Sequence, residues 1–257
     1  MNPLLNSLAE QLDIAMLRAT AVPQITIAHP TLTLADAYMI ASHSVHRRLQ
    51  RGERRIGLKM GLTSRAKMIQ VGVNEMTWGR LTDGMLLEEG GLVSHRAYIH
   101  PRIEPELAFL IGKPLAGKVT AAQAMAAVDG VAPAMELIDS RYENFKFTLN
   151  DVVADNSSAA GLVIGAWRSP EQDLSNLGVV LEVNGKVVEI GSTAAILGNP
   201  VRSLVAAARL VAQAGEQLNP GDIVMSGGVT AAHSLGIGET MRATLQNQGF
   251  VSITVTE

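Results

Sequence analysis

The chain has 257 residues, 47% of them hydrophobic and only 18% charged, enough to bury a large core and too apolar for a disordered chain. With 21 basic against 24 acidic residues the formal charge is −3, so nucleic acid is not an expected partner. Cysteine is absent, which excludes disulfides, thiolate metal sites and cysteine nucleophiles.

The N-terminal stretch "MNPLLNSLAEQLDIAM" interrupts its apolar pattern with acidic residues and does not read as a signal peptide. No run of 18 apolar residues occurs, so no membrane span is expected and a cytoplasmic protein is. Leu4, Leu5, Leu8, Leu12, Ile14 and Met16 lie at helical spacing over residues 4–19. A second helix is expected from Thr33 to Gly52, with "HRRLQRGERR" as its solvated end. Residues 1–55 are thus expected to form a helical N-terminal segment, ahead of a β-rich domain over 56–257.

From residue 54 the pattern turns to strands. "RRIGLKMGLT" predicts a strand, and Ser64 is placed to cap a short helix over "RAKMIQVG". "YIHPRIEPELAFLIG" predicts a strand, "TAAQAMAAVDGV" a helix capped by Thr120, and "APAMELIDSRY" another strand. "LGVVLEVNGKVVEIG" predicts a hairpin turning at Asn184-Gly185. Asn199-Pro200 opens an alanine-rich helix. "NPGDIVMSGG" predicts a turn and a strand, and "ETMRATLQNQGFVSITV" two closing strands. There is no regular βαβ rhythm and no glycine-rich fingerprint after the first strand, so the class is α+β and not a dinucleotide-binding sheet.

The chemistry concentrates in "HPRIEPELAFLIG", residues 100–112. With a period of two, Glu104, Glu106, Ala108 and Leu110 share one face. That face turns apolar just after its carboxylates, which suits two buried acids held by a hard cation; two surface glutamates are the plainer alternative. Glu136, between Met135 and Leu137, offers a third carboxylate from a separate buried strand, with Asp139 three residues on. Such an oxygen-only set suits Mg²⁺ or Mn²⁺ rather than zinc.

Lys59 sits among apolar residues and glycines in "IGLKMGLTS". It either snorkels or is held in a pocket, where burial and a nearby metal would disfavour its ammonium form. Asp83 in "RLTDGM" precedes a turn glycine and is by itself a turn residue. "ADNSSAAG" is a polar cluster ahead of the apolar "LVIGAW", and "SGGVTAAH" is a loop whose N–H groups can approach an anion.

"KMGLTS", "HPRIEPELAF", "MELIDSRY", "VADNSS" and "SGGVT", in that order, resemble the hydratase/decarboxylase family of the fumarylacetoacetate hydrolase superfamily. The resemblance runs over nearly the whole chain. It implies a mixed β-roll core with a helical N-terminal segment, a Mg²⁺ or Mn²⁺ site and a homo-oligomer. It implies metal ligation by Glu104, Glu106 and Glu136. It implies acid–base or substrate-orienting roles for Lys59 and Asp83, and substrate contact by Ser158, Gly228 and Thr230. Asp139 matches no ligand position. "SRYENFKF" and "DNSS" are closer to the decarboxylases of aromatic meta-cleavage pathways, which release CO₂ from 2-oxo-3-hexenedioate, than to the 2-oxopent-4-enoate hydratases. A hydratase remains the alternative. A non-catalytic partner or binding subunit is a third reading, which the intact acids and Lys59 argue against. A complex with a homologous hydratase is left open.

Overall fold

The computed structural model describes residues 2–65, 68–69 and 75–257. Asn2 opens the helix Pro3–Leu17 by accepting the Leu4 N–H, with proline in the first turn, where its missing N–H costs nothing. Thr33 and Asp36 cap the helix Leu34–Gln50 reciprocally. Leu5, Leu8 and Leu12 of the first helix pack with Ala37 and Ile40 of the second and with Tyr142, Val153 and Ala154. Burying each leucine is worth about 2 kcal/mol. The helical pair thereby buttresses the short helix Leu149–Ala154, which leads directly into the site.

Two sheets form the rest of the described chain. The larger runs Thr77–Thr82, Arg55–Gly61, Ile223–Met225, Arg102–Ile111, Val128–Ile138, Ala159–Ile164 and Leu86–Leu87, with His233–Ser234 beside Arg102–Ile111. The smaller runs Leu92–Ser94, Gly249–Thr256, Thr240–Leu245, Gly178–Val183 and Lys186–Ser192. Parallel and antiparallel pairs mix, as Arg55–Gly61 runs parallel to Ile223–Met225 and antiparallel to Thr77–Thr82. The mixed sheet and N-terminal helices match the expected α+β class. Asn184 and Gly185 both have positive φ, 51° and 75°, as the expected hairpin turn requires.

One face of the long central strands packs on the smaller sheet: Ile103, Met135, Leu137 and Val163 meet Leu181, Met241, Val251 and Ile253. Further along that face, Leu107, Phe109 and Ile111 pack with Leu204, Ala207 and Val211 of the helix Val201–Gln213. On the opposite face Ala108, Ala134, Leu162 and Met225 pack with Leu81 and Met85, beside the site's acids.

Two expectations change. The helix expected over 120–131 ends at Met125, because Val128 already pairs with Ile111. The strand Thr77–Thr82 was not anticipated, since "TWGRLT" is short and broken by Gly79. The helix expected over "RAKMIQVG" lies largely outside the described residues. No helix among the described residues is long and apolar enough to cross a membrane.

Candidate active site

Strand register makes the site. In the antiparallel pair Arg102–Ile111 and Val128–Ile138, Glu104 stands directly opposite Glu136. Such partners have Cα atoms about 5 Å apart and point to one face. Glu106, two residues on, returns to that face. The three side chains are 9%, 2% and 0% exposed, and one oxygen from each lies within 4.8 Å of the others. The alternative of two surface glutamates is excluded.

Lys59 reaches the same group from two strands away. It is in register with Met225, which is in register with Ala108, so it shares the glutamates' face. Its Nζ lies 3.0 Å from Glu136 Oε1 and donates to the Ser157 carbonyl at 2.9 Å. With 4% exposure it is pocketed, not snorkelling. Burial pulls its pKa down, but Glu136, Glu104 and Glu106 outweigh that and raise it. The expected disfavoured ammonium is thus reversed in the metal-free protein, because three carboxylates face it.

Glu136 has Lys59 as its ion-pair partner, and burial opposes a full set of charges on three adjoining carboxylates. Burial, then the neighbouring carboxylates, push Glu106 well above the usual carboxylate range, while Lys59 and the Gly227 N–H act against this. Burial also raises Glu136, to about 7, against the pull of Lys59. The Gly227 N–H donates to Glu106 Oε2 at 2.8 Å. Among the described residues Glu106 Oε1 and Glu136 Oε2 find no hydrogen-bond donor. Unsatisfied buried oxygens in an oxygen-only set fit a hard divalent cation.

Two backbone segments close over the acids. A Cβ on Gly228 would lie 2.7 Å from Glu104 Cδ, so a side chain there would displace the Glu104 carboxylate. Opposite, Asn156, Ser157 and Ser158 form a turn with φ of 49°, 54° and 58°. Left-handed backbone costs a non-glycine residue about 1 kcal/mol or more. The turn is held because the Asn156 side chain accepts from the Arg80 N–H and donates to the Arg80 carbonyl, both at 2.8 Å. Ser157 Oγ adds a bond to the Trp78 carbonyl at 3.0 Å. Strain held in place this way is typical of working sites. Ser158 Oγ is buried and has no partner among the described residues.

Above the acids opens a cavity of about 590 Å³, ample for a small molecule. Lys59, Glu104, Arg102, Ser157, Ser158 and Gly228 are among its polar lining; Ile138, Phe145, Phe147 and Val152 give apolar walls. The fold thus brings together Glu104, Glu106, Glu136, Lys59, Ser158 and Gly228. It does not bring in Thr230, whose methyl packs toward Gly191 and which does not line the cavity. Asp83 is also elsewhere. Thr82 stands opposite Arg55 while Gly79 stands opposite Lys59, so Asp83 leaves at the far end of that hairpin. It accepts from the Arg54 N–H and Nε at 2.9 and 3.0 Å, bonds that hold its pKa below the usual value. It braces a turn. Asp139 accepts from the Ile99 and His100 N–H groups and is likewise a brace.

Sequence reasoning missed Arg102, Phe145 and Phe147. Period two along the glutamate strand carries the signal for Arg102, which lies two residues before Glu104. No sequence period marks the phenylalanines, which come from an irregular turn where Asn144 and Phe145 both have positive φ.

Residues 74–256 match the fumarylacetoacetate (FAA) hydrolase C-terminal family. The chain is 50% identical to a 4-oxalocrotonate decarboxylase of a Pseudomonas species, over 98% of both chains. It is 33% identical to a 2-hydroxyhexa-2,4-dienoate hydratase of Comamonas testosteroni, over 96% of both. Among solved structures it superposes on the 4-oxalocrotonate decarboxylase of Pseudomonas putida G7 complexed with magnesium and adipate. That match has a TM-score of 0.96 and 41% identity, and covers 99% of this chain and 98% of the other.

Proposed function

The chain belongs to the fumarylacetoacetate hydrolase family, and from that premise we propose that it is a metal-dependent carboxy-lyase. Its reaction converts 2-oxo-3-hexenedioate to 2-hydroxypenta-2,4-dienoate and CO₂. The observation that carries the proposal is the cross-strand trio of buried glutamates with Lys59 beneath the cavity. The greater identity to the decarboxylase than to the hydratase supports this branch.

Glu104, Glu106 and Glu136 are the residues to hold the cation, Mg²⁺ or Mn²⁺. When bound there it would supply Lewis acidity at the substrate's 2-oxo group. In the reaction the C5–C6 bond breaks, its electron pair forms C4=C5, the C3=C4 pair shifts to C2=C3, and the 2-oxo oxygen takes the negative charge. Lys59 faces the cavity, so its ammonium can place positive charge, or deliver a proton, at that oxygen. Ser158, with its unpartnered hydroxyl, and the Gly228 backbone are placed to contact substrate. Neither Asp83 nor Thr230 has a part in this scheme.

No histidine or aspartate lines the cavity among the described residues, and Phe145, Phe147, Ile138 and Val152 give it apolar walls. A hydratase needs a positioned water and a base on the C4 face. Self-association and pairing with a homologous hydratase, in the cytoplasm, belong to the same proposal; size-exclusion chromatography of the chain alone and with a hydratase measures both associations. The direct test supplies 2-oxo-3-hexenedioate with Mg²⁺, measures CO₂ release and identifies the product by NMR. Appearance of 4-hydroxy-2-oxopentanoate from the dienol, at a rate matching CO₂ release, would replace this reading with a hydratase.

A further inference from the structure

We infer that Arg102 is the specificity residue that takes the carboxylate remote from the substrate's 2-oxo group, and so separates a diacid substrate from its monoacid product. The inference rests on the reading of the cavity as a 2-oxo acid site and adds to it the residue that selects the second charge.

Arg102 precedes Glu104 by two residues on the same strand, so it shares the glutamates' face and lines their cavity. Two residues of strand span about 6.6 Å. A six-carbon chain, extended by five carbon–carbon bonds of about 1.5 Å in zigzag, sets its terminal carbons at a similar separation of about 6 Å. The guanidinium carbon lies 4.1 Å from the centroid of the Phe145 ring. Stacking uses one face of the guanidinium and leaves its edge, with the N–H donors, free for a carboxylate.

Its partners distinguish it from the other half-buried or buried arginines. Arg48, Arg55, Arg80 and Arg141 each pair with a carboxylate of this chain. Arg102 has no such ion pair among the described residues, although Glu104 is on the same face. Phe145, Phe147, Ile138 and Val152 surround the approach with apolar surface, where a charge-assisted hydrogen bond is stronger than in water.

The chemistry of the step sets the signature. The remote carboxylate leaves as neutral CO₂, so its contact with Arg102 weakens as the bond breaks. Arg102 therefore binds the ground state at least as well as the transition state, and its removal raises KM without lowering kcat. The product has lost that carboxylate and is not held by Arg102.

The test is calorimetric binding to the Mg²⁺-loaded protein of 2-oxoadipate and of 2-oxohexanoate, saturated acids with no electron path for CO₂ loss. The wild-type protein should bind the diacid about tenfold more tightly or better, the scale of one charged hydrogen-bonded pair. Arg102→Met should erase that preference while keeping monoacid affinity within about twofold, and Arg102→Lys should restore part of it. A wild-type protein without the preference, a preference that persists in Arg102→Met, or equal loss of both ligands in that variant overturns the inference. Binding and turnover fail separately. A diacid preference lost in Arg102→Met, in a protein that releases no CO₂, would refute the proposed reaction and leave the role of Arg102 standing.

Discussion

Arg141 and Lys59 are both buried cations facing carboxylates, yet their surroundings are opposite. Arg141 pairs with Asp155 and also donates to the Asp139 carbonyl at 2.7 Å, the Asp155 carbonyl at 2.5 Å and the Ala159 carbonyl at 3.2 Å. The Arg141 N–H donates to the second Asp155 oxygen at 3.0 Å, so the group is saturated. Around Lys59, by contrast, Glu106 and Glu136 keep buried oxygens without donors among the described residues. A saturated ionic cluster serves the fold, whereas a starved one is kept for a ligand. The two are joined: Asp155 leads straight into the strained turn Asn156–Ser158, whose Ser157 carbonyl accepts from Lys59. The saturated cluster anchors the turn that the starved cluster uses.

The largest effects should separate the clusters by kind. Glu106→Gln should lower kcat about 10³-fold, on the scale of losing a main electrostatic contact in a site, with the fold intact by circular dichroism. Asp155→Asn should instead cost about 3 kcal/mol or more in urea unfolding, because it leaves the Arg141 charge buried and uncompensated. Normal stability in Asp155→Asn would erase the contrast.

Lys59→Met keeps the stem and removes the charge. Steady-state kinetics should show kcat down about 10²-fold with a modest change in KM, since the charge matters most as the 2-oxo oxygen turns negative. An unchanged kcat would reduce Lys59 to a counter-ion.

The starved cluster should also appear in the pH dependence of metal-free stability. Glu136 titrates near 4.5 when unfolded and near 7 when folded. Between those values the folded protein holds a proton that the unfolded chain has lost, so this contribution is full below about 4.5 and is lost as pH rises through about 7. Asp155, raised by burial to about 6 against the pull of Arg141, adds a loss of the same sign. The difference in Tm with and without Mg²⁺ isolates the glutamates, and it should grow from pH 5.5 to pH 8. A Mg²⁺ shift independent of pH would mean that the glutamates stay ionised without metal. The smallest effect is expected at Asp83, which belongs to neither cluster: Asp83→Asn should leave kcat unchanged.

Parts of this arrangement were legible in the sequence and parts were not, for physical reasons. A cap is legible at Thr120 and a hairpin at Asn184-Gly185, because those signals act within a few residues. The shared face of Glu104 and Glu106 follows from strand period alone. That Glu136 lands directly opposite Glu104 does not, since register is set by pairing over ten residues of each long strand. The same pairing overrode alanine's helix preference beyond Met125. The role of Asp83 is implied only by the resemblance, and the hairpin register that places it at the end away from Lys59 is not legible in the sequence. Phe145 and Phe147 reach the cavity from an irregular turn that no period announces.

Glu106 and Glu136 keep buried oxygens without donors among the described residues until a divalent cation joins them. The most direct measurement is the thermal unfolding of wild-type protein and Glu106→Gln at pH 8, each with and without Mg²⁺. A large Mg²⁺-dependent rise is expected in the wild-type Tm. In Glu106→Gln the metal-free Tm should equal or exceed that of the wild type, since a buried carboxyl is replaced by a neutral amide, and the Mg²⁺ rise should be largely lost. An equal Mg²⁺ shift in both proteins, or none in the wild type, would contradict it.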